Sequence, residues 1–271
     1  MRKLLLTTAA FAVISSPAFA QDWSGPYVAG MIGYATGDDD GSETLVFDTN
    51  QDGEFDNTVL TTAPANAFSP GFCDGVAQGT TPGAGCSADD DSGVDVGLRA
   101  GYDWQTGNVV YGVVGDVSRA DISDSVTGFS TTPANYVMSR EINYVAGLRG
   151  RLGFAMGRTL IYGTAGIAYG DLDRSFTTSN GANSFTERDN DGVWGPQYGV
   201  GAEWAFSDRL SIGAEALWTS LTDEDYTVRA GPGSAPPTNP FLLVDPTGTD
   251  IRRSNDRMDF GSLRFTASYR F

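Results

Sequence analysis

The sequence contains no histidine, and its only lysine is Lys3, near the amino terminus. Histidine supplies the usual general base, the imidazole of hydrolytic triads and the commonest metal ligand. A chain without it lacks all three groups, and two cysteines add few nucleophiles for covalent catalysis. The composition therefore argues against an enzyme.

Basic residues are scarce as a class, with 17 Lys and Arg against 34 Asp and Glu, for a formal net charge of −17. Binding to the phosphate backbone of nucleic acid depends on Lys and Arg. An acidic chain is also repelled by anionic surfaces. Nucleic acid is therefore not an expected partner.

Only one long apolar run is present, from Leu4 to about Ile14, between Arg2-Lys3 and Ala18-Phe19-Ala20. A basic start, a short apolar stretch and a small-x-small end are typical of a secretory signal peptide. The alternative, a membrane-anchoring helix, needs about 20 apolar residues. We predict a cleaved signal peptide over 1–20 and a mature domain over 21–271. Cleavage leaves 17 − 2 = 15 basic residues and a formal charge of 15 − 34 = −19.

The clearest positive signal is strict alternation in the last ten residues, Ser262 to Phe271. Every odd position is apolar, and every even position is Ser, Thr or Arg. Side chains alternate across a β-strand, so this segment has one apolar face and one polar face. Its length suits a single tilted membrane crossing, which takes about 9–11 residues. Closure into a barrel would leave such a strand without an unpaired edge.

Seven earlier segments alternate in a similar way, most clearly Val94 to Trp104. The others are Tyr27 to Ala35, Val109 to Val117, Glu141 to Phe154, Leu160 to Tyr169, Trp194 to Phe206 and Leu210 to Trp218. Connections of about three to five residues alternate with long polar ones at about 37–92, 119–140, 171–192 and 221–257. Short turns at one end and long loops at the other are typical of an outer-membrane barrel. We predict an all-β fold, an eight-stranded antiparallel transmembrane barrel with four long extracellular loops.

Alternation does not say which face points inward, since a soluble lipocalin-type barrel would place its apolar face inside. Aromatic residues near the strand ends, such as Trp104, Trp204 and Phe271, favour the membrane, where they form interfacial girdles. The unequal loop lengths favour it too. The polar faces then line the lumen, and we expect their opposite charges to pair there. These charges are Asp95, Arg99, Asp103, Asp116, Glu141, Arg149, Arg151, Glu203, Glu215, Arg264 and Arg270.

Several short motifs resemble those of the porin-like, opacity-type family of small outer-membrane proteins. They are Trp23-Ser-Gly-Pro-Tyr27-Val-Ala-Gly30, Arg151-Leu-Gly-Phe-Ala155, Leu160 to Gly170, Gly199 to Phe206 and Ala214 to Trp218. The resemblance covers the strands from Trp23 to Phe271 but not the first long loop. It implies an eight-stranded barrel in the outer membrane of a Gram-negative bacterium, in contact with outer-membrane lipid. It also implies that Tyr269 and Phe271 belong to the signal read by the barrel-assembly machinery during insertion.

The resemblance implies no single activity, because fold and function are separable. Eight strands enclose a lumen that side chains nearly fill. This favours a structural or surface-display role, with acidic loops facing outward. The alternative is a narrow porin-like channel for small solutes or ions, lined by the same charges. The sequence names no surface partner.

Both cysteines lie in the first long loop, as Cys73 and Cys86, with twelve residues between them. Two cysteines in an exported protein predict a disulfide. Closing a loop of this length stabilises the fold by about 3 kcal/mol through loop-closure entropy. The alternatives are two free thiols or a metal site, for which two cysteines without histidine make a poor ligand set.

The first long loop holds twelve acidic residues and no basic one. Within it, oxygen-bearing residues alternate at Asp48, Asn50, Asp52, Glu54 and Asp56, with a glycine at the sixth position of the segment. Alternating oxygen ligands and a glycine that allows a sharp turn are typical of a calcium loop. The pattern fails at its twelfth position, Val59, although Asp38–Asp40 and Asp89–Asp91 could supply further oxygens. The alternative is a solvated acidic surface. Calcium is thus the one candidate cofactor, and we expect no other.

Apolar islands interrupt the polar loops at Phe68, at Phe72 and at Phe241 to Val244. We expect them to pack on each other or to extend the strands above the membrane. The alternative is an exposed patch that binds a partner.

Overall fold

In the computed structural model, the described residues are 21–37, 42–87, 92–189, 192–223 and 226–271. The signal peptide expected over 1–20 lies outside these ranges. Within them, no helix is both long enough and apolar enough to cross a membrane.

Eight long strands form a closed antiparallel barrel. They are β1 Gly25–Gly37, β2 Gly93–Thr106, β3 Val109–Ala120, β4 Ala134–Met156, β5 Thr159–Thr178, β6 Val193–Ala205, β7 Leu210–Thr222 and β8 Arg257–Arg270. Each strand pairs with its neighbours in the chain, β8 pairs with β1, and β4 pairs with β5 to complete the ring. The prediction of an eight-stranded antiparallel barrel is confirmed.

Two of the short connections are two-residue hairpin turns, Gly107-Asn108 between β2 and β3 and Gly157-Arg158 between β4 and β5. Gly107 and Gly157 have φ of 59° and 61°. A positive φ at the first turn residue alone is the pattern of a type II′ turn, whose twist matches that of the flanking strands. Glycine adopts this φ without the steric cost that a Cβ would add.

The two faces of the strands separate by polarity, as β8 illustrates. Arg264 and Arg270 are buried inside the barrel, whereas Leu263 and Phe265 are exposed on its outer wall. The exposed apolar side chains of the other strands continue this outer belt, and half of each strand is therefore suited to lipid.

The alternation changes face in β4 at a β-bulge. The register with β5 shifts between Asp171 and Leu172, so that Asn143 is an extra residue between Ile142 and Tyr144. A bulge of one residue moves every side chain beyond it to the opposite face. Ile142 is consequently buried inside, although the alternation of the sequence placed it outside.

The long connections are folded and carry additional strands. These are Leu45–Asp48, Gly71–Asp74, Val76–Ala77, Cys86–Ser87, Ser123–Ser130, Ser184–Arg188, Thr227–Gly231 and Thr249–Arg253, with 3-10 turns at Pro82–Ala84 and Pro240–Leu242. Four of them form a separate antiparallel sheet, in the order Ser184–Arg188, Thr227–Gly231, Thr249–Arg253, Leu45–Asp48. We call the described residues 42–87, 121–142, 172–189 and 226–256 the extracellular cap.

The cap has a hydrophobic core of its own. Its largest side chains are Phe47, Phe68, Tyr136, Tyr226 and Phe241. The Phe68 ring lies 6.0 Å from Phe241 and 6.1 Å from Phe72, centroid to centroid. The aromatic residues of the apolar islands therefore pack on each other, which confirms one of the two expectations, whereas Leu243 and Val244 are exposed.

Candidate functional site

The lumen of the barrel holds a buried network of opposite charges. Arg99 donates a hydrogen bond of 2.5 Å to Glu215 Oε1, and Arg149 donates to the same oxygen at 3.0 Å. Arg149 also pairs with Asp116. Each of these side chains comes from a different strand, so the network holds β2, β3, β4 and β7 together.

Arg264 on β8 extends this network toward the extracellular side. Its guanidinium contacts Asp95 at 2.5 Å, Asp116 at 3.1 Å and the hydroxyl of Ser118 at 2.9 Å. Arg264 and Asp95 are each 0% exposed. A lone charge at this depth would be costly, and direct pairing offsets that cost.

A second charged group lies nearer the short turns. Arg151 contacts Glu203 at 2.6 Å and Asp103 at 3.4 Å, and Arg270 contacts Asp103 at 2.9 Å. The Arg151 guanidinium also lies over the ring of Tyr162, 3.9 Å from its centroid, which is a cation–π contact.

Tyrosine–glycine pairs make room for this group. Tyr162 is paired in register with Gly201, and Tyr27 with Gly101. A Cβ on either glycine would lie 2.5 Å from the tyrosine ring. The sequence pattern placed Tyr27 in the first strand and in a family motif, but it assigned neither tyrosine a role in the lumen. The sequence pattern that could have revealed them is an aromatic residue on the inward face of a strand, paired in register with a glycine on the adjacent strand.

Apolar layers lie on both sides of the charges. Toward the cap, the layer includes Ile122, Ile142, Leu221, Met258 and Phe260, and its other members come from β1, β3, β4, β5 and β6. Toward the short turns, it comprises Trp23, Val110, Ala155, Leu160, Tyr162 and Ala205. The polar interior is thus bounded by packed hydrophobic side chains at both ends.

A further set of ion pairs, which sequence reasoning missed, lies at the base of the cap. Arg253 pairs with Glu43 and, at 2.7 Å, with Asp124. Arg140 contacts Asp124 at 2.7 Å and Asp223 at 3.5 Å. Burial acts to raise the pKa of Asp124, but Arg253 and Arg140 outweigh it and hold that pKa below its usual range. These residues lie in stretches without strong alternation, so their pairing depends on the fold of the loops.

The structure buries all the predicted lumen charges except one. Asp95, Arg99, Asp103, Asp116, Arg149, Arg151, Glu203, Glu215, Arg264 and Arg270 are all at most 8% exposed. Glu141 is exposed instead, and with Asp121 it lines a cleft of about 300 Å³ on the outside of the molecule. The prediction that Glu141 lies inside the barrel was wrong. The bulge at Asn143 lies between Glu141 and Arg149 and reverses which face of the strand points inward.

Cys73 and Cys86 form a disulfide, as predicted. It links the strand Gly71–Asp74 to the short strand Cys86–Ser87. Because Gly71–Asp74 pairs with Ser123–Ser130, the disulfide ties the tip of the first loop to the second loop.

The candidate calcium segment is a tight turn. Asp48 is 2% exposed, and its carboxylate accepts hydrogen bonds from the backbone N–H groups of Gln51 at 2.6 Å and Gly53 at 2.9 Å. Asn50 donates to Asp52 at 2.7 Å, and the Asp56 carboxylate accepts from Asn57. Within the ranges described, no group of three or more His, Cys, Asp or Glu side chains could hold a metal ion.

The carboxylates Asp38–Asp40 and Asp89–Asp91 lie outside the described residues, so they are not placed relative to this turn. Asp48, Asn50, Asp52, Glu54 and Asp56 as calcium ligands therefore remain a prediction.

Tyr269 and Phe271 face outward at the turn end of the barrel. Their rings meet edge to face, 5.1 Å between centroids, and Phe271 is 70% exposed. The backbone N–H of Phe271 donates to Pro26 on β1. Both rings are accessible, and their role in assembly remains a prediction.

A closed antiparallel barrel with an apolar outer wall, a polar interior and long loops on one end defines a membrane β-barrel of the outer-membrane class. The chain belongs to the family described as outer membrane protein beta-barrel domain, whose profile matches residues 6–271. This places it in the outer membrane of a Gram-negative bacterium, as the sequence predicted.

Named relatives agree with this assignment. The chain is 29% identical over 127 residues to the 31 kDa outer-membrane immunogenic protein of Brucella melitensis, covering 46% of this chain and 52% of that protein. It is 29% identical over 131 residues to the 22 kDa outer membrane protein of Rhizobium leguminosarum bv. viciae, covering 48% and 54%. The chain thus spans about half the length of the curated relatives it matches.

Among solved structures, Neisserial surface protein A aligns over 92% of this chain and 98% of its own, with 11% identity and a TM-score of 0.39.

Proposed function

We propose that this protein is a structural, surface-display barrel whose lumen is closed and whose acidic loops face outward. The observation that carries the proposal is the apolar layer around Ile122, Ile142, Leu221, Met258 and Phe260. Water-filled porin lumens are polar, and eight-stranded barrels have interiors that side chains can fill. A packed apolar layer across the lumen supports a closed barrel, because an ion crossing it would lose its hydration.

The folded cap also supports display. The long connections of this chain build a separate four-stranded sheet and a hydrophobic core of their own. The Brucella melitensis relative is named as an immunogenic protein, which fits loops that reach the cell surface.

The alternative function is a narrow channel for small solutes or ions. Its supporting observation is the buried network around Arg149 and Glu215, which could guide ions past the middle of the barrel. For conduction, the apolar layer would have to open or be bypassed.

Single-channel recording in planar bilayers separates the two functions. The purified folded protein should give no discrete current steps at any applied voltage. A Leu221→Ala, Phe260→Ala double variant tests the layer itself, since it removes bulk there while keeping every charge. Steps in the parent protein would overturn the closed-barrel proposal and favour the channel.

A non-enzymatic role is part of the same proposal. It is supported by the lack of histidine and by the engagement of both cysteines in a disulfide. The expected partners are outer-membrane lipid, which would contact the exposed apolar belt, and the barrel-assembly machinery, which would read Tyr269 and Phe271 during insertion. Nucleic acid is not an expected partner, because of the acidic charge.

A further inference from the structure

A cavity of about 260 Å³ lies in the extracellular cap, where all four long connections meet. The first contributes Phe68, the second Pro133 and Tyr136, the third Asn180 and the fourth Phe241. The cavity is separate from the barrel lumen and from the turn that carries Asp48.

Three aromatic rings lie in the cavity wall, together with smaller apolar side chains such as Val59 and Pro240. Phe68 and Tyr136 lie 5.2 Å apart, Tyr136 and Phe241 5.7 Å, and Phe68 and Phe241 6.0 Å, centroid to centroid. The interplanar angles of 55°, 72° and 59° are those of tilted or edge-to-face pairs. Aromatic rings favour tilted or offset contacts with other rings, so these three side chains favour a ligand that contains an aromatic ring.

The asparagine side chains around the cavity are already engaged in hydrogen bonds. Asn180 donates to the Tyr136 hydroxyl and to Asn183, each at 3.0 Å. Asn239 donates to Asn183 at 3.0 Å and accepts from the backbone of Phe241. Among the described residues, no buried side-chain polar atom that lines the cavity lacks a hydrogen-bond partner. The described lining of the cavity therefore has no buried polar side-chain atom that needs a hydrogen bond from a strongly polar ligand.

Charge is absent from the lining, although the chain carries 34 acidic and 17 basic residues. No Asp, Glu, Lys or Arg is among the described lining residues. An ion placed here would lose hydration without gaining a counter-charge, so a charged ligand is disfavoured.

The volume sets the size of the ligand. An apolar cavity of about 150 Å³ in another protein binds benzene, so about 260 Å³ accommodates one ring with a substituent or a small bicyclic molecule. From the aromatic rings, the engaged asparagine side chains, the lack of charge and the volume, we propose that the cap binds a small uncharged aromatic molecule at this cavity.

The test compares two probes that share a ring system and differ in charge. 2-Naphthol is neutral at about pH 7, whereas 2-naphthoate is an anion. The full chain is reconstituted in phospholipid nanodiscs, and bound probe is measured by equilibrium dialysis, with empty nanodiscs subtracted. We expect saturable binding of 2-naphthol, one per chain, and at least about tenfold weaker binding of 2-naphthoate.

A pair of glycine variants locates the site. Gly181 lines the cavity, is exposed, and has no atom within 4 Å of an added Cβ. Gly181→Trp should fill the cavity mouth and reduce 2-naphthol binding by about tenfold or more. Gly83 is equally exposed and equally open, but it does not line the cavity, so Gly83→Trp should bind as the parent does.

Folding of each variant is checked by its heat-modifiable migration on a gel. If Gly181→Trp does not fold, Phe241→Leu provides a second variant, which removes one of the three rings and should weaken binding. The proposal is overturned if the parent shows no saturable excess over empty nanodiscs. It is also overturned if both probes bind alike, or if the folded Gly181→Trp variant binds 2-naphthol as tightly as Gly83→Trp does.

Discussion

Glu43 and Arg253 form a buried ion pair across 210 residues of sequence, with Arg253 Nε donating to Glu43 Oε1 at 2.7 Å. The pair joins the first long connection to the last one, at the base of the extracellular cap. Arg253 also donates to the backbone carbonyls of Asp124 and Met138, at 3.0 and 3.3 Å, and so reaches the second connection. One guanidinium thereby fixes three loops relative to each other.

Glu43→Ala should loosen the cap without unfolding the barrel. Arg253 retains Asp124, so the expected loss is that of one buried partner, about 1–3 kcal/mol of local stability. Limited chymotrypsin digestion, which cuts at the phenylalanines of the cap core, should proceed faster in the variant. Glu54→Ala removes an exposed carboxylate of the same loop and serves as the control. Equal digestion rates for all three proteins would show that this pair does not hold the cap.

The lowered pKa of Asp124 predicts how the cap responds to acid. A carboxylate whose folded pKa lies below its unfolded value contributes stability above the unfolded pKa, and that contribution is lost as the pH falls through the folded pKa. Asp124 should therefore stabilise the cap at neutral pH and cease to do so below its ordinary value of 3.8.

Hydrogen exchange of cap amides measures this effect. After correction for intrinsic exchange rates, protection should be constant above about pH 5 and should fall as the pH drops below the unfolded value of 3.8. Asp124→Asn should show a smaller fall, since it has no proton to bind there. A variant with the same pH dependence as the parent would exclude Asp124 as the source.

Glu215→Ala should destabilise the barrel strongly. The Glu215 carboxylate accepts from Arg99, Arg149 and Tyr162, so truncation leaves two arginines short of a buried counter-charge. Removing one partner of a buried ion pair costs about 3–5 kcal/mol. The urea midpoint of unfolding, measured in detergent, should fall clearly.

Glu141→Ala is the matched control for Glu215→Ala. It removes the same side chain from a barrel strand, but Glu141 is exposed beyond the bulge, so the midpoint should change little. If the two variants unfold at the same urea concentration, the lumen network does not stabilise the barrel.

Gly201→Ala should disturb the packing of Tyr162 against Gly201, in the charged group nearer the short turns, and so destabilise the barrel. A methyl group there would lie 2.5 Å from the Tyr162 ring, which is held against Arg151. Overpacking of this kind costs about 1–3 kcal/mol. Gly163→Ala makes the same chemical change where the nearest atom is 3.8 Å away. Only Gly201→Ala should lower the urea midpoint of unfolding. Equal midpoints for the two variants would refute the packing argument.

Calcium binding by the first loop is tested by calorimetry. A defined site in the weak extracellular range, about 0.1–1 mM, would give saturable heat that Asp52→Ala removes. In the predicted site Glu54 binds through its backbone carbonyl, which Glu54→Ala keeps while removing the same charge as Asp52→Ala does. The Glu54→Ala variant should therefore bind calcium as the parent does. If the two variants lose binding equally, the ion only screens acidic charge and the site does not exist.

The eight strands, the short turns and the inward direction of Arg149 or Glu215 were predictable from local pattern. The reason is physical, because a strand in a membrane barrel must place apolar side chains in lipid and polar ones inside, and both requirements act on every second residue. The family motifs from Trp23 to Phe271 agreed with this pattern.

The fold of the cap was not predictable in the same way. Its strands, such as Thr227–Gly231 and Thr249–Arg253, are five residues long and pair with segments far away in the chain. Their partners are chosen by burial of Phe68, Tyr136 and Phe241 in a shared core, which no local alternation encodes. The ion pairs of Arg253 depend on the same long-range arrangement.

Sequence alone determined that this chain is a membrane barrel, because the period of two and the alternating loop lengths are properties of neighbouring residues. Tertiary structure decided the rest. One bulge at Asn143 turned Glu141 outward, since an extra residue in a strand moves every side chain beyond it to the opposite face. Whether a given residue forms such a bulge is not visible in the sequence pattern. Likewise, only the convergence of four loops creates the aromatic cavity, because its walls come from segments that have no pattern in common.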